Sequence, residues 1–281
     1  ALYWGQASAQ QQNRLRYYCD SDSVDIFLLS FITDFPNSKE STHGYTLNLA
    51  NACASKTYSS EDSTPNCTQV GDDIKYCQSL GKKVLLSLGG ESGDYGFNSD
   101  YEAENFADVL WNSFGEGSEY PKDERPFGDA IVDGFDFDLE NENQIGYVTL
   151  ANKLRNLTSS GNQKEFILTS APQCPFPDKS NSELIDGVEL NYLFIQFYNN
   201  KCALDQDFNF DTWSEYIQSK NYEKTKLFIG LPATNSSASS GFVDSDAVLE
   251  KIEQIWSSDE LKKSFGGVMF WDASQAFEDS E

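Results

Sequence analysis

A single-domain α/β fold, the eight-unit (β/α)8 or TIM barrel, is predicted from three observations. Eight short runs rich in Val, Ile, Leu and Phe recur along the chain. Between them lie polar stretches whose apolar residues fall at helical spacing. The repeat is roughly 30 residues, the size of one strand-plus-helix unit. Runs that are apolar throughout read as parallel strands buried on both faces. At 281 residues the chain has the length of one such barrel, and no stretch has the composition of a linker.

The elements follow in order. Leu2–Gly5 is the first run, and a helix is expected near residues 9–18. Asp25–Phe31 is the second. Residues 32–68 are Ser/Thr/Asn-rich, hold Cys53 and Cys67, and are too long for a plain connection. They are expected to form a surface loop on the rim, with cysteines placed to staple it. A helix near 69–80 leads to Lys83–Leu88, which Gly89 and Gly90 end sharply. A helix near 101–114 and a second excursion over 115–130 precede the fourth run, Gly134–Leu139. Then come a helix near 144–157, the run Phe166–Ala171 stopped by Pro172, a helix near 181–187, and the run Leu193–Tyr198. A helix near 211–219, the run Leu227–Leu231 stopped by Pro232, a helix near 245–257, and Val268–Trp271 complete the eight. Nine residues, Ala273–Glu281, follow Asp272, so the closing helix of this 1–281 domain is expected to be short or cut.

Composition removes several function classes. The net charge is −25 and the pI about 4.2. Nucleic acids and anionic membranes need a Lys/Arg footprint, so neither is expected as a partner. A neutral polysaccharide needs no charge steering. There is no 18-residue apolar run, so no membrane insertion by this segment is expected, and no signal-peptide pattern follows Ala1. The six cysteines form no Cys-x-x-Cys pair, and His43 is the one histidine, read as a surface residue of a polar loop. No metal or other cofactor is therefore expected. An even cysteine count fits three disulfides in an oxidising compartment. The sequons at Asn66, Asn156 and Asn235 agree with a secreted glycoprotein, extracellular or in a cell wall. A monomer is expected.

The chemistry concentrates in Asp133-Gly134-Phe135-Asp136-Phe137-Asp138-Leu139-Glu140. On a strand the three apolar residues share one face, and Asp136, Asp138 and Glu140 share the other. At ~3.3 Å per residue, the acids stand roughly 6–7 Å apart along the row. Like charges this close do not all ionise freely, so one proton is retained near neutral pH, as acid catalysis of glycoside cleavage requires. Two duller readings compete. One is a half-exposed antiparallel strand with acids on its wet face. The other is a Ca²⁺ loop, which lacks the turn glycine and would not interleave apolar residues. The barrel favours the catalytic row over the wet strand, because it sends Asp136 into an interior where an acid is costly unless hydrogen-bonded.

This run resembles the catalytic signature of the family 18 glycoside hydrolases. The resemblance narrows at Tyr3-Trp4-Gly5-Gln6, Leu86-Ser87-Leu88-Gly89-Gly90, Ala171-Pro172-Gln173-Cys174-Pro175-Phe176-Pro177-Asp178, Phe194-Ile195-Gln196-Phe197-Tyr198-Asn199 and Gly267-Val268-Met269-Phe270-Trp271-Asp272. These look like class III chitinases of the plant and yeast type, closest to secreted fungal cell-wall enzymes, over residues 2 to about 277. The resemblance implies a (β/α)8 barrel and hydrolysis of chitin and chitooligosaccharides. It implies that Glu140 is the general acid and then base, and that Asp138 orients the substrate's N-acetyl group. It makes Asp136 share a proton or hydrogen bond with Asp138, and Tyr198 donate to the acetamido oxygen with Gln196 beside it. Trp271 is implied as the floor under the cleaved sugar, with Tyr3 and Phe31 lining the cleft. The cysteine pairs implied are Cys19–Cys77, Cys53–Cys67 and Cys174–Cys202; sequence alone leaves 15 connectivities.

The physical logic stands beside the resemblance. Acids from a single strand do not reach the far face of a sugar. The substrate's acetamido oxygen is then left to attack, through an oxazolinium ion and with net retention, as this family does. Two other functions remain open at this stage. One is a carbohydrate-binding or inhibitor protein on the same barrel, which typically loses the acid that Glu140 supplies here. The other is an endo-N-acetylglucosaminidase acting on N-glycans, which uses the same acetamido chemistry.

Overall fold

The structure, a computed structural model, describes residues 1–39, 41–53, 64–159 and 166–277. The strands are β1 (Leu2–Trp4), β2 (Ile26–Asp34), β3 (Thr46–Leu47), β4 (Lys83–Gly89), β5 (Gly134–Asp138), β6 (Ile167–Ser170), β7 (Tyr192–Gln196), β8 (Lys226–Pro232) and β9 (Phe265–Trp271). The helices are α1 (Leu15–Cys19), α2 (Thr68–Ser79), α3 (Asp100–Phe114), α4 (Tyr147–Ser159), α5 (Ser182–Gly187), α6 (Phe210–Ser219), α7 (Ser245–Ser257), α8 (Leu261–Ser264) and α9 (Ala273–Ala276). Eight strands run parallel in the order β1-β9-β8-β7-β6-β5-β4-β2, and the pairing of β1 with β2 closes the ring. This is the expected (β/α)8 barrel. The ninth strand, β3, lies antiparallel to the end of β2 in the rim loop.

Strand alternation divides the core into two layers. Ile26, Leu28, Leu85, Ile167, Phe194, Phe228 and Met269 fill the inside of the barrel. Phe27, Leu29, Leu86, Phe135, Phe137, Ile195 and Ile229 belong to the outer layer, with helix residues such as Ile74, Leu110, Leu154 and Ile217. Both faces of the strands are therefore dry, which is why the runs read as apolar throughout. On β9 the cover is thinner, and Val268 and Phe270 remain half-buried.

Three expectations need correction. The helix expected over 9–18 begins only at Leu15. Ala7 and Gln10 take positive φ (51° and 72°), and the Gln12 amide donates to the carbonyls of Gly5 and Leu49 at 3.2 and 3.1 Å. Gln10 to Asn13 offer no apolar face to hold a helix on the barrel, and their amides satisfy the loop instead. The last strand starts three residues early, at Phe265, because Gly266 and Gly267 conceal its strand character. His43 is half-buried rather than at the surface, its ring 4.0 Å from that of Tyr120.

The cysteines pair as the resemblance implied: Cys19–Cys77 ties α1 to α2, Cys53–Cys67 closes the rim loop, and Cys174–Cys202 joins the loops after β6 and β7. Part of the rim loop, residues 54–63, lies outside the described residues. The excursion over 115–130 is held by buried Arg125, whose guanidinium donates to the carbonyls of Ser113, Gly115 and Gly117 at 3.2, 2.6 and 3.3 Å.

Candidate active site

β5 is the fourth strand of the ring, and its register sets the acids. Asp136 stands level with Ser87 on β4 and Thr169 on β6. All three side chains point inward, so both hydroxyls reach the carboxylate: Ser87 Oγ donates to Oδ2 at 2.6 Å and Thr169 Oγ1 to Oδ1 at 2.6 Å. The Tyr3 phenol, from β1 across the barrel, donates to Oδ2 at 2.7 Å. Asp136 is fully enclosed. Burial raises its pKa, and the three hydroxyl donors pull it back down.

Asp138, one step nearer the mouth, has the opposite surroundings. Its β4 neighbour in register is Gly89, which supplies no side chain. A Cβ there would stand 2.2 Å from the Asp138 carbonyl oxygen, and φ is +106°, so glycine is required for β4 to pass this close. The Gln196 amide, from the end of β7, donates to Asp138 Oδ1 at 3.1 Å and to the Ala171 carbonyl at 3.0 Å. Glu140 Oε1 lies 3.5 Å from the same nitrogen, the weakest of the three contacts for two amide protons. Burial, then the charges of Glu140 and Asp136, push the Asp138 pKa well above the carboxylate range. The side-chain interaction with Glu140 raises the proton affinity of Asp138 further.

Glu140 lies two residues beyond the end of β5 and is half-buried. Burial raises its pKa, opposed by hydrogen bonds from Gln196, Asp138 and Gln173 and assisted by the charge of Glu91. Its backbone N–H donates to the Tyr95 phenol oxygen at 2.8 Å.

These groups open into a cleft of about 580 Å³ at the carboxyl ends of the strands. Of the eight residues expected at the site, Tyr3, Phe31, Asp138, Glu140, Gln196, Tyr198 and Trp271 line it, and Asp136 lies beneath. Trp271 and Phe31 stack with ring centroids 5.8 Å apart and planes 18° apart, and Tyr3 is 5.5 Å from Trp271. Gly90, with no Cβ to meet the Phe31 ring, permits that placement; a Cβ would stand 3.0 Å from it. Tyr3 is 1% exposed with its hydroxyl committed to Asp136, so it supports the floor more than it lines the wall. Tyr198 is buried beside Asp138 and Glu140, whose charges and the burial raise its pKa.

One expected contact is different. The bonds of Asp136 go to Tyr3, Ser87 and Thr169, and the partners of Asp138 are Gln196 and Glu140; Asp136 and Asp138 interact through their charges. The hydroxyls at the same register level reach Asp136 directly, so it does not turn to the next acid along the strand.

Three residues escaped the sequence reading. Gln173 lines the cleft, lowers the proton affinity of Glu140 and accepts from Asn200 Nδ2 at 3.1 Å. Its place directly after Ala171-Pro172, at a strand end, was the available signal. Glu91 and Tyr95 sit in a Gly/Ser loop after β4 where nothing in the sequence marks them. Among the described residues, no three His, Cys, Asp or Glu side chains are grouped to hold a metal.

Comparison with known proteins follows from this geometry. A family model described as glycosyl hydrolases family 18 matches residues 1–264. The chain is 52% identical over 279 residues to an endochitinase of Saccharomyces cerevisiae, across 99% of this chain and 47% of that protein. It is 49% identical over 276 residues to chitinase 1 of Candida albicans, across 98% of this chain and 55% of that protein. The chain thus spans about half the length of these curated relatives. Among solved structures, a chitinase from Ipomoea carnea superposes with a TM-score of 0.79 at 34% identity, covering 98% of this chain and 94% of that one. A xylanase and α-amylase inhibitor protein from Scadoxus multiflorus superposes with a TM-score of 0.82 at 29% identity, covering 99% and 93%.

Proposed function

The chain belongs to glycosyl hydrolase family 18, and from that premise we propose that it is an endo-acting chitinase. It hydrolyses β-1,4 bonds between N-acetylglucosamine units, with retention and with the substrate's own acetamido group as nucleophile. The observation that carries this reading is that Asp138 and Glu140 converge from one strand end on one amide nitrogen, Gln196 Nε2, at 3.1 and 3.5 Å. Acid and carboxylate nucleophile in an ordinary retaining glycosidase stand about 5–5.5 Å apart across the bond, and an inverting pair about 6.5–9.5 Å. Two carboxyls that reach one nitrogen from the same strand end do not straddle the glycosidic bond. The attacking atom is then supplied by the sugar.

The steps follow from the protons present. Before substrate binds, the pair holds one proton, on Asp138. A bound acetamido N–H needs an acceptor at Asp138, so that proton passes to Glu140. Glu140 gives it to the glycosidic oxygen as the acetamido oxygen attacks C1, and an oxazolinium ion forms as the leaving sugar departs. Asp138, now a carboxylate above neutral-hydroxyl-bound Asp136, faces the positive nitrogen, and Tyr198 donates to the acetamido oxygen. Glu140 then takes a proton from water, which attacks C1 from the face the leaving group vacated. Trp271 supplies the flat apolar support beneath the reacting sugar.

The barrel alone does not choose this activity, since an inhibitor protein superposes on it as well as a chitinase does. The choice rests on Asp136, Asp138, Glu140 and Tyr198 converging on one cleft. We place the protein outside the cell or in the wall of a fungus, in wall remodelling or cell separation; the three disulfides and the fungal relatives support this. The test is Glu140→Gln incubated with chitin hexamer. Turnover is expected to fall at least ~10²–10⁴-fold, the contribution of general acid–base catalysis, while oligomer binding by calorimetry persists. Parental turnover in that variant removes Glu140 from its role. Parallel incubation with an N-glycoprotein separates chitin cleavage from N-glycan release.

A further inference from the structure

We infer that Tyr95 is a positioning residue for Glu140, its phenol fixing the backbone that carries the acid and so the depth at which the carboxyl stands in the cleft. The inference rests on the reading of Glu140 as the general acid.

Glu140 is beyond the last ladder residue of β5, so no neighbouring strand takes its N–H. A backbone donor at a barrel mouth needs a partner. Tyr95 provides it: its phenol oxygen accepts from Glu140 N at 2.8 Å and its O–H donates to the Gly90 carbonyl at 2.8 Å. Gly90 N in turn donates to the Asp138 carbonyl at 2.7 Å. A closed circuit thus runs from Asp138 through Gly90 and Tyr95 to Glu140. The next residue is held too, because Asn141 Nδ2 donates to the Tyr95 carbonyl at 2.7 Å. Tyr95 is itself well anchored. It is 6% exposed, bridges Phe35 in parallel, and its ring stacks on Phe35 at 5.5 Å. Burial keeps the phenol protonated, so the donor to Gly90 and the acceptor for Glu140 are present throughout the working pH range.

With that oxygen removed, the Glu140 peptide is free to move toward solvent. The carboxyl loses alignment with the glycosidic oxygen, and the burial that raises its proton affinity weakens. Asp138, Glu91, Tyr198 and the Asp136–Tyr3 pair remain around it unchanged, so the shift is set by position alone.

The experiment compares Tyr95→Phe with Phe35→Leu, which loosens the same stack but keeps the hydroxyl. Initial rates on a soluble chitooligomer are recorded across pH, with urea denaturation of each variant. Tyr95→Phe is expected to lower kcat about tenfold, since small misplacements of catalytic groups cost factors up to about 10². KM should stay within about twofold, and the basic limb of kcat, which reports loss of the proton that Glu140 holds in the substrate complex, should move to lower pH. Phe35→Leu is expected to lose stability with kcat and the basic limb unmoved. Should Tyr95→Phe fail to fold, 3,5-difluorotyrosine placed at position 95 retains the shape with a poorer acceptor oxygen, and the limb is expected to move the same way. Parental kcat and pH profile in Tyr95→Phe, or in the fluorinated protein, overturn the inference. An active Glu140→Gln would instead overturn the underlying reading, so the two failures are distinguishable.

Discussion

Asp136 and Asp138 are two residues apart on one strand and meet opposite fates. Asp136 is given three hydroxyl donors by its register and by Tyr3. A hydrogen bond to a charged group contributes about 1.5–3 kcal/mol, so three offset much of the desolvation that its burial imposes. Asp138 receives one side-chain amide against burial and two like charges, and the burial and the charges favour its protonated form. That inequality makes the pair useful: the hydroxyls ease ionisation of Asp136, while the surroundings of Asp138 hold its proton. On the proposed mechanism, Asp138→Ala removes that proton and the group that faces the oxazolinium nitrogen. Its kcat on chitin hexamer is expected to fall about 10²–10³-fold, the effect of deleting one charge-stabilising group, as measured by single-turnover kinetics. The acids were legible in sequence because strand alternation alone places them on one face. Their partners were not, because register between β4, β5 and β6 is a tertiary property that no local pattern states. Tyr95 illustrates the limit: its phenol finds Glu140 across 45 positions of chain.

Elements were more legible than contacts. Seven of the expected helices and all eight barrel strands have counterparts, since a strand buried on both faces leaves an unbroken apolar run. Reading failed where sequence pattern and structure part: at Gln10 to Asn13, whose amides satisfy a loop, and at Gly266 and Gly267, which lie within β9. The rim loop closed by Cys53 and Cys67 shows how an element far from β5 contributes. Asn48, just before the first cysteine, lines the cleft, and its backbone exchanges bonds with Phe31 at 2.8 and 2.9 Å. With a sequence separation of 14 between the cysteines, the link lowers denatured-state entropy by about 3 kcal/mol in the chain-entropy model. Changing both cysteines to serine is expected to lower unfolding free energy by up to about that amount, as read from urea denaturation, with kcat on short oligomers near parental. A dead enzyme of unchanged stability would show that the loop belongs to the catalytic wall.

At the scale of the whole molecule, two shells of apolar packing hold a ring whose open end gathers Asp138, Glu140, Tyr198 and Trp271 from three strands. A parallel barrel makes this possible because every strand delivers its carboxyl end to the same face. The net charge of −25 fits such a site when the ligand is an uncharged polysaccharide. The measurement that tests the account most directly is the anomeric form of the first products released from chitin hexamer, read by proton NMR before mutarotation. Attack by the acetamido group followed by water on the vacated face yields the β-anomer. An initial α-anomer would mean that water displaces the leaving sugar directly, and the shared role of Asp138 and Glu140 would not stand.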